Sequence, residues 1–264
     1  MKTMPLHYLL YSLISLSTCG QATSFTGNYN HDVILPYSYK PGTDFQKLVV
    51  TWQRKLKGSD LVVHSYYYGR NQLERQHVSY LNRTQLFLEK LHLGNASLKL
   101  KRIQLDDAGE YICSVNTDTE SFYSTVELHV GATYEEPHLM VGMFTCGKEM
   151  HIVYQTGGGY PEAEVEWLMD TGKNITELSN TTYSKNSYGL YDVTSKLRWA
   201  AVSAINCTFI MTNKMLNQTI VRSVTIRQKD LQNSYCATPR SRIAAIVSTN
   251  VSVIIFITWL CIGK

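Results

Sequence analysis

Through its middle this chain alternates apolar and polar residues in short runs separated by turn residues, and no sustained helical period interrupts them. "KLVVTWQRK" (47–55), "LVVHSYYYG" (61–69), "ASLKLKRI" (96–103) and "STVELHV" (124–130) are the clearest. In the last, Val126, Leu128 and Val130 point one way while Glu127 and His129 point the other. A period of two with one apolar face predicts half-buried strands, and two sheets laid face to face bury those apolar faces together. After "VGA" (130–132) the pattern restarts. "EMHIVYQTGGGYPEAEVEW" predicts a strand, a turn at "TGGGYP" and a strand ending on Trp167, followed by strands at "YDVTSKLRW" (191–199) and "INCTFI" (205–210). No Gly-Lys-Ser/Thr follows the glycines and no helix opens after them, so they are not read as a phosphate loop.

Particular residues sharpen the class to all-β with two immunoglobulin-like sandwiches. Trp52 follows Val50 at the spacing that points both inward, as does the core tryptophan of a central strand. "DDAGEYIC" (106–113) places Tyr111 two residues before Cys113, the spacing of a tyrosine corner. Asp107 falls in the turn before it, within reach of a base such as Arg83. The additional run at 61–69 marks the first sandwich (24–130) as variable-type. The second (132–229) lacks such a run and reads as constant-type, with Trp167 and Cys207 in the core places.

The ends place the chain outside the cytosol. Lys2, the apolar run "LLYSLISL" (9–16) and the small polar finish "STCGQA" predict a signal peptide over 1–22. The uncharged stretch 243–262 is long enough for a transmembrane helix after a stalk at 230–242, leaving a vestigial tail at 263–264. A lipid-anchor signal is the alternative reading of the same stretch. Six sequons precede it, at Asn82, Asn95, Asn174, Asn180, Asn206 and Asn217, and predict a glycosylated plasma-membrane ectodomain. The net charge of +4 carries no basic stripe, so nucleic acid is not an expected partner. The eight histidines show no pair at metal-ligand spacing, and no nucleophile motif occurs. Neither an enzyme nor a cofactor or metal is expected.

A variable-type then a constant-type sandwich, a stalk and one span resembles the B7 and butyrophilin co-signalling ligands of T cells. "LGNASLKLKRIQLDDAGEYIC", "GYPEAEVEW" and "YDVTSKLRW" look like the corresponding stretches of the programmed-death ligands. "ILPYSYKPG", "VHSYYYG" and "NRTQLF" look nearer still to the HERV-H LTR-associating ligand and the V-set T-cell activation inhibitor. The resemblance covers roughly residues 30–260. It implies a surface ligand that binds a protein receptor on lymphocytes and modulates T-cell activation, with inhibition the favoured direction. A homophilic adhesion glycoprotein and a truncated or decoy ligand are the alternative readings.

The family's receptor face is the front sheet of the first domain. Carried over by position it comprises Val49, Thr51, Gln53, Ser114, Asn116, Ser121 and Tyr123, joined by Tyr66 and Tyr68, which the alternation puts on one face. The tyrosines are the favoured anchors, although the same face of 61–69 could instead be the core. The family pattern also implies a cysteine on the second strand of each sandwich, where this chain has Tyr37 and Tyr154. Cys113 and Cys207 therefore lose their partners, a bond worth on the order of 4 kcal/mol in each domain. Two folded but weakened sandwiches, packed around Trp52 and Trp167, are expected; a non-functional relic is the competing reading. Cys146 and Cys236 are candidates for a bridge near one end of the second domain. Alternatively, Cys236 joins two chains in a homodimer or stays free.

Overall fold

In the computed structural model, residues 23–144, 149–200 and 204–227 are described. The expected signal peptide, Cys146, the stalk with Cys236, the apolar run 243–262 and the tail lie outside them. Among the described residues no helix is long and apolar enough to cross a membrane.

Two compact units form. One contains Asp32–Arg102 and Asp107–His129 together with strand residues through Phe25; the other contains Val130 onward with Thr26–His31 and Ile103–Asp106. Strands β1 (Thr23–Asn28), β2 (Val33–Leu35), β3 (Val49–Arg54), β4 (Leu61–Tyr67) and β5 (Arg70–Asn71) come first. They are followed by β6 (Thr84–Leu86), β7 (Leu98–Leu100), β8 (Gly109–Asn116) and β9 (Ser121–Gly131). Their sheets run β1-β9-β8-β3-β4-β5 and β2-β7-β6, the variable-type arrangement.

Alternation explains the core between these sheets. Val50 and Trp52 of β3, Leu98 and Leu100 of β7, Tyr111, Cys113 and Val115 of β8, and Leu128 of β9 are all fully buried. Trp52 donates its indole N–H to the Ala96 carbonyl at 2.9 Å, so the polar handle of the ring is satisfied. The Tyr111 hydroxyl donates to the Asp107 carbonyl at 2.8 Å and sits 3.2 Å from the Tyr80 hydroxyl, which forms the expected corner. Arg83 pairs with Asp107, both side chains nearly buried, and also donates to the Ser79 carbonyl at 2.8 Å.

The second unit holds β10 (His138–Phe144), β11 (Glu149–Gly159), β12 (Glu164–Met169), β13 (Ser179–Lys185), β14 (Tyr191–Ala200), β15 (Ile205–Asn213) and β16 (Gln218–Ile226). The sheets β10-β11-β14-β13 and β12-β15-β16 have the constant-type order. One element differs from the expected turn. β11 continues through "TGGG" to Gly159, with an irregularity in its pairing to β14 between Thr156 and Gly159. Gly158 takes φ +76°, and a Cβ on Gly159 would lie 2.3 Å from the Tyr134 ring. The glycines therefore let a strand bulge past an aromatic ring rather than reverse the chain.

Cys113 and Cys207 are free and buried. The Tyr37 ring meets Trp52 edge-on at 6.3 Å, and Tyr154 stacks on Phe209 at 4.6 Å and leans on Trp167 at 5.7 Å. Aromatic area thus occupies the space where a cross-sheet bond would run. Burial, with the neighbouring cysteine, pushes the phenols of Tyr37 and Tyr154 up to about 12. Neither hydroxyl is among the buried polar atoms lacking a partner. Burial also pushes the Cys207 thiol up to about 12 and the Cys113 thiol in the same direction. The thiolate is the reactive species. Both cysteines are therefore expected to escape iodoacetamide in the native chain and to react fully in denaturant, as read by peptide mass. Native-state labelling of Cys113 would contradict this packing.

Candidate protein-binding face

The register of the six-stranded sheet brings most of the expected contact residues together. Thr51 stands opposite Ser114, and Ser114 opposite Tyr123. One step along, Val49 stands opposite Asn116, and Asn116 opposite Ser121. A third row is Gln53, Ile112 and Thr125. These rows share the face turned away from the core, because Val50, Trp52, Cys113 and Val115 occupy the alternate positions inside. Val49, Thr51, Gln53 and Ser114 are half-buried, since a central strand is flanked on both sides. Asn116 and Ser121 are exposed, and Tyr123 is 83% exposed.

Tyr66 and Tyr68 do not share a face. Tyr66 lies opposite Val50 and is 2% exposed, so it belongs to the core and not to the contact surface. Its ring packs on Phe45 at 6.2 Å. Tyr68 follows the end of β4, takes φ +52° and is 80% exposed. The left-handed residue breaks the two-residue alternation that would have kept the two rings together. Tyr67, not singled out by sequence reasoning, is the half-buried neighbour that meets Tyr68 edge-on at 5.3 Å. Its only signal was the "SYYYG" run itself. The pairing of β3 with β4 also shifts between Trp52 and Gln53, and no residue type announces that shift.

The strand positions of these three rows carry no charge, and ion pairs stand at the sheet's ends. Lys40 lies 3.1 Å from Glu120, and Lys55 lies 3.3 Å from Glu110. Asp118 accepts the Thr43 backbone N–H at 2.9 Å and the Thr43 hydroxyl. Those bonds hold its carboxyl below the usual carboxylate range. They tie the loop before β3 to the loop between β8 and β9.

The sequons divide unequally between the sheets. Asn82 lies just before β6, and Asn95 bridges to Ser38 just before β7. Both lie in the segments leading into strands of the smaller sheet, and none falls on β3, β8 or β9. In the second unit Asn180 is on β13, Asn206 on β15, Asn174 before β13 and Asn217 in the turn to β16. Both of its sheets therefore carry sequons. Asn82, Asn174, Asn180, Asn206 and Asn217 are exposed, and Asn95 is half-buried with its Oδ1 accepting the Ser97 N–H at 2.9 Å.

Known proteins match along most of this length. Residues 20–131 match the immunoglobulin V-set domain, and residues 135–221 match a butyrophilin subfamily 3 member A2-like Ig-C domain. A CD276 antigen homolog of Xenopus laevis is 31% identical over 210 residues, covering 78% of this chain and 67% of that protein. V-set domain-containing T-cell activation inhibitor 1 of Rattus norvegicus is 31% identical over 170 residues, covering 62% of this chain and 58% of that protein. The chain thus spans between 58% and 67% of the length of these two relatives. Among solved structures, a chain from a crystal structure of ICOS in complex with ICOS-L and an anti ICOS-L VNAR domain is 25% identical. It superposes with a TM-score of 0.64 over 77% of this chain and 99% of that one.

Proposed function

Since the chain belongs to the B7/butyrophilin family of the immunoglobulin superfamily, we propose that it is a cell-surface co-signalling ligand. Its first domain presents the outward face of β9, β8 and β3 to a protein receptor on T cells or other lymphocytes. The observation that carries this reading is Tyr123, 83% exposed in a row of uncharged residues on a sheet without sequons. Leaving so large a ring in water has no folding benefit, while a tyrosine on a rigid strand supplies contact area at little entropic cost. N-glycans, on this reading, cover the smaller sheet of the first domain and both sheets of the second, which leaves one face for protein. Inhibition of T-cell activation is the proposed direction, supported by the name of the rat relative.

The test uses cells displaying the full chain, scored for conjugates with activated lymphocytes and for cytokine release. Tyr123→Ala is expected to weaken binding by about tenfold, equivalent to about 1.4 kcal/mol. Tyr66→Phe, a change inside the core, is expected to leave binding intact. Unchanged conjugation by Tyr123→Ala, with surface display equal, would refute the face. Conjugates restricted to pairs of cells that both display the chain would replace it with homophilic adhesion.

A further inference from the structure

A buried histidine on β4, next to the edge of the larger sheet, reaches β6 at the edge of the smaller sheet of the first unit. His64, on β4, is 1% exposed, and both ring nitrogens are engaged. Nδ1 lies 2.8 Å from the Thr84 hydroxyl on β6, and Nε2 lies 3.0 Å from Asn71 Oδ1 on β5. The Gln76 amide donates to the same Thr84 hydroxyl at 2.7 Å and to the Val63 carbonyl at 2.8 Å. β4 and β5 belong to the larger sheet and β6 to the smaller one. The imidazole therefore links the two sheets and the segment 72–83 between β5 and β6, in a domain whose cross-sheet cysteine is unpaired.

The donor order suits a neutral ring. With Asn71 Oδ1 accepting from Nε2–H, Nδ1 is bare and accepts the Thr84 hydroxyl proton, which leaves the Thr84 oxygen to accept from Gln76. A second proton on Nδ1 would face that hydroxyl. Thr84 would then accept from both neighbours, and its own O–H would lose its acceptor. The positive charge would also be buried without a counter-ion. Titratable groups on the elements packed around it are Tyr66 and Tyr67 on β4, Arg54 on β3, Arg70 on β5, Glu74, Arg75, His77 and Tyr80 in 72–83, and Arg83 beside Thr84. Arg83 is paired with Asp107, Arg54 donates to the Ala108 carbonyl at 2.8 Å, and among the described residues no ion pair reaches His64.

We propose that His64, Thr84, Asn71 and Gln76 form an acid-released clasp, closed at neutral pH and opened when the chain enters an acidic compartment. Burial lowers the affinity of His64 for its second proton below the ordinary histidine value, against the smaller opposing effect of the Asn71 bond. The sign follows from linkage. A histidine whose folded pKa is depressed contributes fully above its unfolded pKa of about 6.5. That contribution is lost as pH falls from there toward the folded value. The opening resides in 72–83, which hangs on β4 through Gln72 N–H to the Ser65 carbonyl (2.9 Å) and His77 N–H to the Val62 carbonyl (2.9 Å).

Hydrogen exchange on the full chain, corrected for intrinsic amide chemistry, tests the clasp at about pH 7.4 and about pH 5.5, across the histidine range. Amides of 72–83 are expected to exchange faster in acid, by up to about tenfold at about pH 5.5, one pH unit below the unfolded value, while those of β14 serve as the reference. His64→Gln should remove the acid dependence. Asn71→Asp places a carboxylate at Nε2, favours the charged ring, and should make 72–83 exchange more slowly in acid than the parent. Exchange of 72–83 that ignores pH in the parent, or an acid dependence that persists in His64→Gln, would overturn the proposal. Should His64→Gln fail to fold, Asn71→Asp decides alone, and parent-like acid exchange in it would be equally fatal.

Discussion

Trp167→Ala is expected to lower the stability of the second unit by about 4 kcal/mol, within the range for removing a buried tryptophan. The ring is fully buried and packs on Phe209 at 5.3 Å and Tyr154 at 5.7 Å. Its indole N–H donates to the Ser195 hydroxyl at 2.9 Å, and Ser195 is itself fully buried and 2.8 Å from the Thr181 hydroxyl. Alanine would leave a cavity between two aromatic rings and take a partner from a buried hydroxyl. A domain is stable by only about 5–15 kcal/mol in total, and Cys207, at the cross-sheet position of this unit, is free. Urea unfolding followed by circular dichroism, with exchange in β14 and β15 to identify the unit, reads the loss. Trp167→Phe should cost clearly less, because ring area remains. An unfolding free energy for Trp167→Ala within about 1 kcal/mol of the parent would mean that the aromatic cluster is not what replaces the missing bond.

Asp107→Ala is expected to cost the first unit about 3 kcal/mol, the lower end of the range for breaking a buried ion pair. The side chains of Arg83 and Asp107 are only 15% and 5% exposed, so alanine leaves a nearly buried guanidinium without its counter-charge. The loss falls at the low end because Arg83 also donates to the carbonyls of Ser79 (2.8 Å), Lys101 (3.2 Å) and Arg102 (3.2 Å). Those bonds survive the substitution. The Tyr111 corner should survive as well, since its hydroxyl uses the Asp107 backbone carbonyl rather than the carboxylate. The double substitution Arg83→Ala with Asp107→Ala should be less destabilised than the two single losses added together, because no charge is left stranded. Additive losses would show that the pair contributes nothing beyond its separate contacts.

Both sites were legible along the chain for the same reason. Trp167, Trp52, Tyr111 and Asp107 sit at fixed offsets within strands or one tight turn, where local geometry alone orients the side chain. The outward rows of β3, β8 and β9 followed from alternation too, which is why Thr51, Ser114 and Tyr123 lie side by side as expected. Tyr66 and Tyr68 did not, because β4 ends at Tyr67 and Tyr68 takes a left-handed turn conformation, which breaks the alternation between them. "TGGGYP" misled in the opposite sense. Glycines that ordinarily reverse a chain here let β11 bulge past Tyr134 and continue.

The two sandwich types and the alternating core positions around Trp52, Tyr111 and Trp167 follow from the amino-acid sequence by itself, because burial with period two is a local property of each strand. Tyr37 and Tyr154, where the family resemblance implies cysteines, are equally written there. Three features were settled only by the tertiary structure. It stacked Tyr154 on Phe209 and leaned it on Trp167, turned Tyr66 inward, and joined His64 to Thr84 across the two sheets. Each depends on register and on which sheet edges meet. Those are set by the packing of strands far apart in the chain, and no local spacing encodes them.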